Sequence, residues 1–241
     1  MLNKIQLIAA FAIPVLFAIT VHEVAHGWVA KRLGDKTAMM MGRLTLNPLK
    51  HIDPIGTVIL PIAMLWMTGF MFGWAKPVPI TWENLKHPKR DVGLVAVAGP
   101  TANLLMALIW ALVIKIALVL PASAASISYP LVYMGFAGIF INGILMILNL
   151  IPLPPLDGGR IMSSLLPGPW SYKFSRLEPY GLLILVVLLF TGILGTIMLP
   201  PLIWYLKFIT FAFGIDPQVI QALGVGIGID PRIMMLLTRT S

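Results

Sequence analysis

"IQLIAAFAIPVLFAITVHEVAHGWV", residues 5–29, is the stretch on which the fold turns. Up to Val21 its only polar side chains are Gln6 and Thr20. About 20 apolar residues in a helix suffice to cross a bilayer, so the run is long enough to span. It then presents His22, Glu23 and His26 before it ends. Ionisable groups are costly in lipid and usually mark a site. An ordinary cleavable signal peptide does not fit. The run is long, only Lys4 precedes it as a charge, and the polar triplet lies inside it.

The rest of the chain agrees. Of 241 residues, 59% are hydrophobic and 11% charged, against roughly half and about a quarter in soluble domains. Further apolar runs cover 92–120, 131–156 and 180–199, and a shorter one, 202–214, follows Pro200-Pro201. The expectation is an all-α polytopic membrane protein with about four to six transmembrane helices. Residues 1–214 read as an integral membrane domain. Residues 215–241, with two Asp-Pro turns, read as a tail at the membrane surface or frayed. The run 55–74 is ambiguous, because Pro61, Gly69 and Gly73 interrupt it. Upstream, "GRLTLNPL" (42–49) alternates well enough for a short strand. A β-like or re-entrant region is therefore expected between the first helix and the helix carrying Ala98-Gly99-Pro100.

The absence of cysteine excludes disulfides, a thiolate metal site and a thiol nucleophile. The net charge of +8 sits between the apolar runs. There it reads as a topology signal and not as a nucleic-acid surface.

His22 and His26 are four residues apart, about 400° around a helix, so both imidazoles leave one face about one turn apart. That suits two nitrogen ligands on one Zn²⁺, with Glu23 placed to act on water as a general base. The plain alternative is two histidines on a helix surface beside an incidental glutamate. Catalytic zinc usually has three protein ligands and an open position. His51 and His87 lie in basic loops and read as loop residues. Asp157, in "NLIPLPPLDGGR" (149–160), is the better third ligand, because Gly158-Gly159 permit close backbone approach. Its plain alternative is a cap on the next element. Asn149 is by type a turn former before a proline-rich helix end. Asn103 could serve the site or a small-residue helix contact. Arg160 and Lys115, near helix ends, read as snorkelling to headgroups.

Taken together, His22-Glu23-Val24-Ala25-His26, Ala98-Gly99-Pro100-Thr101-Ala102-Asn103, Asn149-Leu150-Ile151-Pro152 and Leu156-Asp157-Gly158-Gly159 resemble the site-2 protease family of intramembrane zinc metalloproteases. "LTLNPLKHIDPIGT" and "GWAKPVP" add to the likeness. The resemblance implies one zinc per chain, held by His22, His26 and Asp157, with Glu23 as base. It implies Asn149 at the substrate, and Asn103 is kept as a second candidate there. No stretch reads as a PDZ or CBS module, so a compact member is expected. The implied partners are the lipid bilayer and a membrane-protein or peptide substrate with a transmembrane helix. Oligomeric state is left open, and compactness points to a prokaryotic cell membrane.

Charge adds a topology. Lys31, Arg32, Lys36, Arg43 and Lys50 outnumber acids before residue 55. Lys76, Lys86, Lys89 and Arg90 do so before residue 92, and Arg160, Lys173 and Arg176 do so after Asp157. The connector 121–130 has no charge. If 55–74 dips in and returns, every basic loop shares one side with the metal motifs, and the positive-inside rule turns that side to the cytoplasm. A helical substrate hides its carbonyls, so it must unwind to be cut. Residues 42–49 or 55–80 could then pair with it by strand addition. Two rival functions are a membrane metal-binding or metal-transport protein and an idle relative that only binds membrane helices. Clustering of the ionisable groups at one level disfavours the first, and an intact Glu23 disfavours the second.

Overall fold

The computed structural model describes residues 4–59, 63, 66, 73, 75–227 and 229–238. Lipid offers no hydrogen bonds, so a spanning chain must pair its backbone within itself, and helices do this locally. The α-helices are α1 Lys4–Leu33, α2 Thr37–Met40, α3 Pro88–Leu118, α4 Ala125–Leu150 and α5 Asp157–Leu165. They continue with α6 Gly168–Ser175, α7 Glu178–Phe190, α8 Ile193–Phe213, α9 Pro217–Gly226 and α10 Pro231–Met235. Among the described residues, four helical stretches are long and apolar enough to cross a membrane. These are Ala9–Leu33, Pro88–Leu118, Ala122–Leu150 and Ile193–Phe213. The fold is all-α and polytopic, as expected.

Several details differ from the sequence reading. The described residues contain no strand at 42–49. Asn47 instead accepts a hydrogen bond from Leu49 N and caps a 3₁₀ turn, Pro48–His51. Leu46 and Leu49 are exposed, so the alternation buries no face. The third span stops at Leu150, because Ile151 is extended and the prolines that follow have no N–H for a helix. The fourth run breaks earlier than expected, at Gly192, whose φ of 76° ends α7. Pro200 and Pro201 lie inside α8, a placement that membrane helices tolerate. The expected dip within 55–74 lies mostly outside the described residues; only a π-helical turn, Pro54–Ile59, precedes it.

The chain divides into two compact units. The first comprises Met1–Ala18, Asn103–Ile151 and Glu178–Ser241. Its core joins Ala107, Ala111 and Ile114 of α3 to Phe136 and Ile139 of α4 and to Tyr205, Leu206 and Ile209 of α8. Gly135 and Gly138 bring α4 against Ile114 and Trp110, where a Cβ would collide. This is the close packing small residues permit between membrane helices. Tyr205 donates its hydroxyl to the Ile139 carbonyl at 2.8 Å. After α8, Pro217–Gly226 and Pro231–Met235 are helical. Asp216 and Asp230 accept from Gln218 N and Arg232 N, so each Asp-Pro pair is a helix N-cap followed by Pro at the first turn. Ile220, Leu223, Met234 and Leu237 enter the same core. Lys115 donates to the Gly214 carbonyl at the end of α8.

The second unit comprises Ile19–Ala102 and Pro152–Leu177. Ala30 packs with Leu85 and Val95, and Lys86 N donates to Leu33 O at 3.0 Å. The end of α1 and the start of α3 therefore adjoin. Arg160 stacks over Trp82 at 4.8 Å, a cation–π contact.

Candidate metal centre

The last turns of α1 carry His22 and His26, and the first residue of α5 is Asp157. His22 Nε2 lies 3.0 Å from His26 Nε2. Asp157 Oδ2 lies 3.3 Å from the first and 3.2 Å from the second. All three side chains are buried. The rings cross at 84°, with centroids 4.6 Å apart, so their nitrogens converge.

Local chemistry fixes the His26 tautomer. His26 Nδ1 is 2.7 Å from the Val95 carbonyl. A carbonyl can only accept, so Nδ1 carries the proton and Nε2 keeps its lone pair, the tautomer a metal ligand needs. Asp157 Oδ2 is buried with no hydrogen-bond donor aimed at it.

These atoms fit zinc. Tetrahedral bonds of about 2.0–2.1 Å separate ligand atoms by about 3.3 Å, close to each side of the observed triangle. Two imidazoles and a carboxylate are also ordinary zinc donors. Gly99 keeps the adjoining space open, since a Cβ there would collide with His26 Nε2 and His22 Cε1. A side-chain-bearing residue at 99 would fill the cradle. Among the described residues, these three side chains are the group able to hold a metal.

Glu23 is half-buried, and its Oε2 accepts from Val78 N at 2.7 Å. His51 is buried elsewhere in the second unit, paired with the Thr45 carbonyl and outside the metal group. Asn103 and Asn149 belong to the first unit. Asn103 is fully buried there, and Asn149 donates to the Leu145 carbonyl of its own helix. Sequence reasoning missed the Val95 carbonyl, the role of Gly99 and the Val78 amide. Gly99-Pro100 was a signal for the second, whereas backbone groups leave no mark in a sequence. In the stretch proposed for strand addition, Lys76 N and Val78 N are already committed and Pro77 and Pro79 have no N–H.

Residues 113–192 match the family model of Peptidase family M50. Over 201 residues the chain is 39% identical to "Putative zinc metalloprotease YwhC" of Bacillus subtilis, covering 83% of this chain and 88% of that one. It is 31% identical over 210 residues to "Putative zinc metalloprotease Rip2" of Mycolicibacterium smegmatis, covering 87% and 76%. No solved structure matches the chain.

Proposed function

Starting from the premise that the chain belongs to peptidase family M50 and is an intramembrane zinc metalloprotease, we propose a role for each residue of the site. His22, His26 and Asp157 hold the zinc, and Glu23 is the general base. The observation that carries this is the buried triangle of His22 Nε2, His26 Nε2 and Asp157 Oδ2, 3.0–3.3 Å on a side.

Bound zinc supplies Lewis acidity toward water and toward a peptide carbonyl. The chain's residues do the rest. Val95 fixes the His26 ring through Nδ1, so the Nε2 lone pair keeps its aim. Gly99 keeps the space beside both rings clear. The Val78 amide holds Oε2 of Glu23 and leaves the other oxygen to take a proton from the attacking water. The same carboxyl then gives that proton to the leaving amine.

Substrates are membrane-embedded segments that must open their helix at the cut, which favours helix-breaking residues there. Asn149 and Asn103 are proposed to contact the substrate, on the family resemblance alone. The basic loops support a cytoplasmic catalytic end in a prokaryotic cell membrane.

The test uses the purified chain in lipid vesicles with a single-span substrate. Cleavage should stop when a zinc chelator is added and recover with zinc. Glu23→Gln should keep its zinc and lose at least about 10³-fold in rate. Cleavage that survives this change would remove Glu23 as the base.

A further inference from the structure

Residues 75–81 form a strap outside any helix, and the described residues contain no strand to pair with it. Its backbone polar groups must find partners among side chains and loops. They find them at both ends. At one end Lys76 N donates to the His51 carbonyl at 3.0 Å. There the Arg43 guanidinium donates to the carbonyls of Lys76 and Pro77 at 3.1 and 3.3 Å. At the other end Thr81 N donates to Asp35 Oδ2 at 2.9 Å, and Asn84 Nδ2 donates to Asp35 Oδ1 at 3.1 Å. Between the two ends lies Val78, whose N–H holds Glu23 at 2.7 Å.

Neither charged residue has an ordinary reason to be where it is. Asp35 stands two residues past the C-terminus of α1, where an anion opposes the helix dipole. Yet it is wholly buried, and its hydrogen bonds go to Thr37 and to the strap and the turn that follows it. Arg43 is buried with no carboxylate in ion-pair contact among the described residues, and it spends its charge on two strap carbonyls. The strap also rests on α1 beside a metal ligand. Gly27, next to His26, is bare enough for Leu44 and Val78 side chains to sit against it. A Cβ there would come within 2.6 and 2.8 Å of them.

We propose that Asp35 and Arg43 are positioning residues for catalysis, clamping the two ends of the 76–81 strap so that the Val78 N–H is fixed against the Glu23 carboxylate. They act on the base through the strap and touch neither metal ligand nor substrate. The proposal rests on Glu23 being the base, but the clamp can be read without any cleavage.

The experiment labels the full chain with ¹⁵N-valine in detergent micelles and follows hydrogen exchange at the Val78 amide. Zinc content, kcat and KM are measured on the same samples. Arg43→Lys and Asp35→Asn are the variants, chosen because they keep volume and most polarity. Each should speed exchange at Val78 by at least about tenfold, since its carboxylate bond opens more often. Each should lower kcat by about tenfold or more, with KM within about threefold and one zinc per chain retained, because only the base has lost its support. Asp35→Ala, which removes every acceptor, should fall below Asp35→Asn, and that partial rescue marks the hydrogen bonds as the cause.

Unchanged exchange at Val78 in both variants overturns the clamp, whatever happens to rate. So does a rise in KM at constant kcat, which would make the strap a substrate contact. Loss of zinc in step with activity overturns it too, since that is what general unfolding of the second unit does. If the wild-type chain cleaves nothing, the assignment of the base fails while the exchange result still decides the clamp.

Discussion

The two units bury different chemistry. Among the described residues, every buried charged or imidazole side chain lies in the second unit: His22, His26, Asp35, Arg43, His51, Asp91 and Asp157. The first unit buries Asn103, Asn142 and Thr210 as its polar side chains, and otherwise packs apolar groups such as Phe136, Ile139 and Ile209. A buried charge costs free energy unless it is paired, so it persists where pairing serves a purpose. The second unit thus holds positions at a price in stability, whereas the first supplies packing with little chemistry.

That contrast can be broken from either side. The largest effect is expected at Gly99. Gly99→Val puts a branched side chain where a single Cβ already collides with both imidazoles. Zinc content should fall well below one per chain and cleavage by at least about 10³-fold. A variant that keeps full zinc would show the cradle is wider than described.

In the first unit the matching change is Ile139→Ala, at a side chain with no exposed surface. It should cost about 2–5 kcal/mol through lost packing and the cavity left behind. Thermal unfolding in detergent would register this, while zinc per chain should stay at one. If zinc were lost at temperatures where the chain is still folded, the separation of roles would fail.

Tyr205→Phe, also in the first unit, removes only the hydroxyl bonded to the Ile139 carbonyl. That carbonyl lies within a helix, so the expected loss is about 0.5–1.5 kcal/mol, again read from unfolding.

The smallest expected effect depends on pH and concerns Asp35. Burial favours its neutral form, yet hydrogen bonds from Thr37, Asn84 and Thr81 outweigh this and hold its carboxyl below the usual range. A carboxyl lowered on folding stabilises the native state above its unfolded value of about 3.9. That stabilisation is lost as pH falls through the lower native value. Asp35→Asn should therefore lower Tm at pH 7, and the gap from wild type should narrow below about pH 4. A gap of constant size down to pH 3 would mean the charge of Asp35 is not what its partners recognise.

The legible parts of the molecule were those written in side chains at fixed spacing. His22 and His26 are legible from their four-residue spacing and Asp157 from its Gly-Gly turn, and the structure gathers these three into one group able to hold a metal. The spanning helices were legible from apolar length, though not their ends. Gly192 broke a run that looked continuous, and Pro200-Pro201 failed to break one that looked interrupted. Prolines tell what hydrogen bonds are missing but not whether neighbours tolerate the loss. The Asp-Pro pairs at 216 and 230 read as turns in the sequence, but the same dipeptide also opens a helix as cap and first residue. The loose alternation at 42–49 suggested a strand, but Asn47-Pro48 had a local alternative in a capped 3₁₀ turn. What no sequence pattern could reveal was the part played by backbone. The Val95 carbonyl on His26 and the Val78 amide on Glu23 belong to residues whose side chains are simply valine.

The most direct measurement is zinc K-edge X-ray absorption on the purified chain, wild type and Asp157→Ala, with metal content determined in parallel. The expected wild-type result is one zinc per chain, with two imidazole nitrogens and at least one oxygen at about 2.0–2.2 Å. Asp157→Ala should lose most of its zinc or show an altered first shell. A zinc spectrum and content identical in the two proteins would contradict the central claim, because the metal would then be held without Asp157.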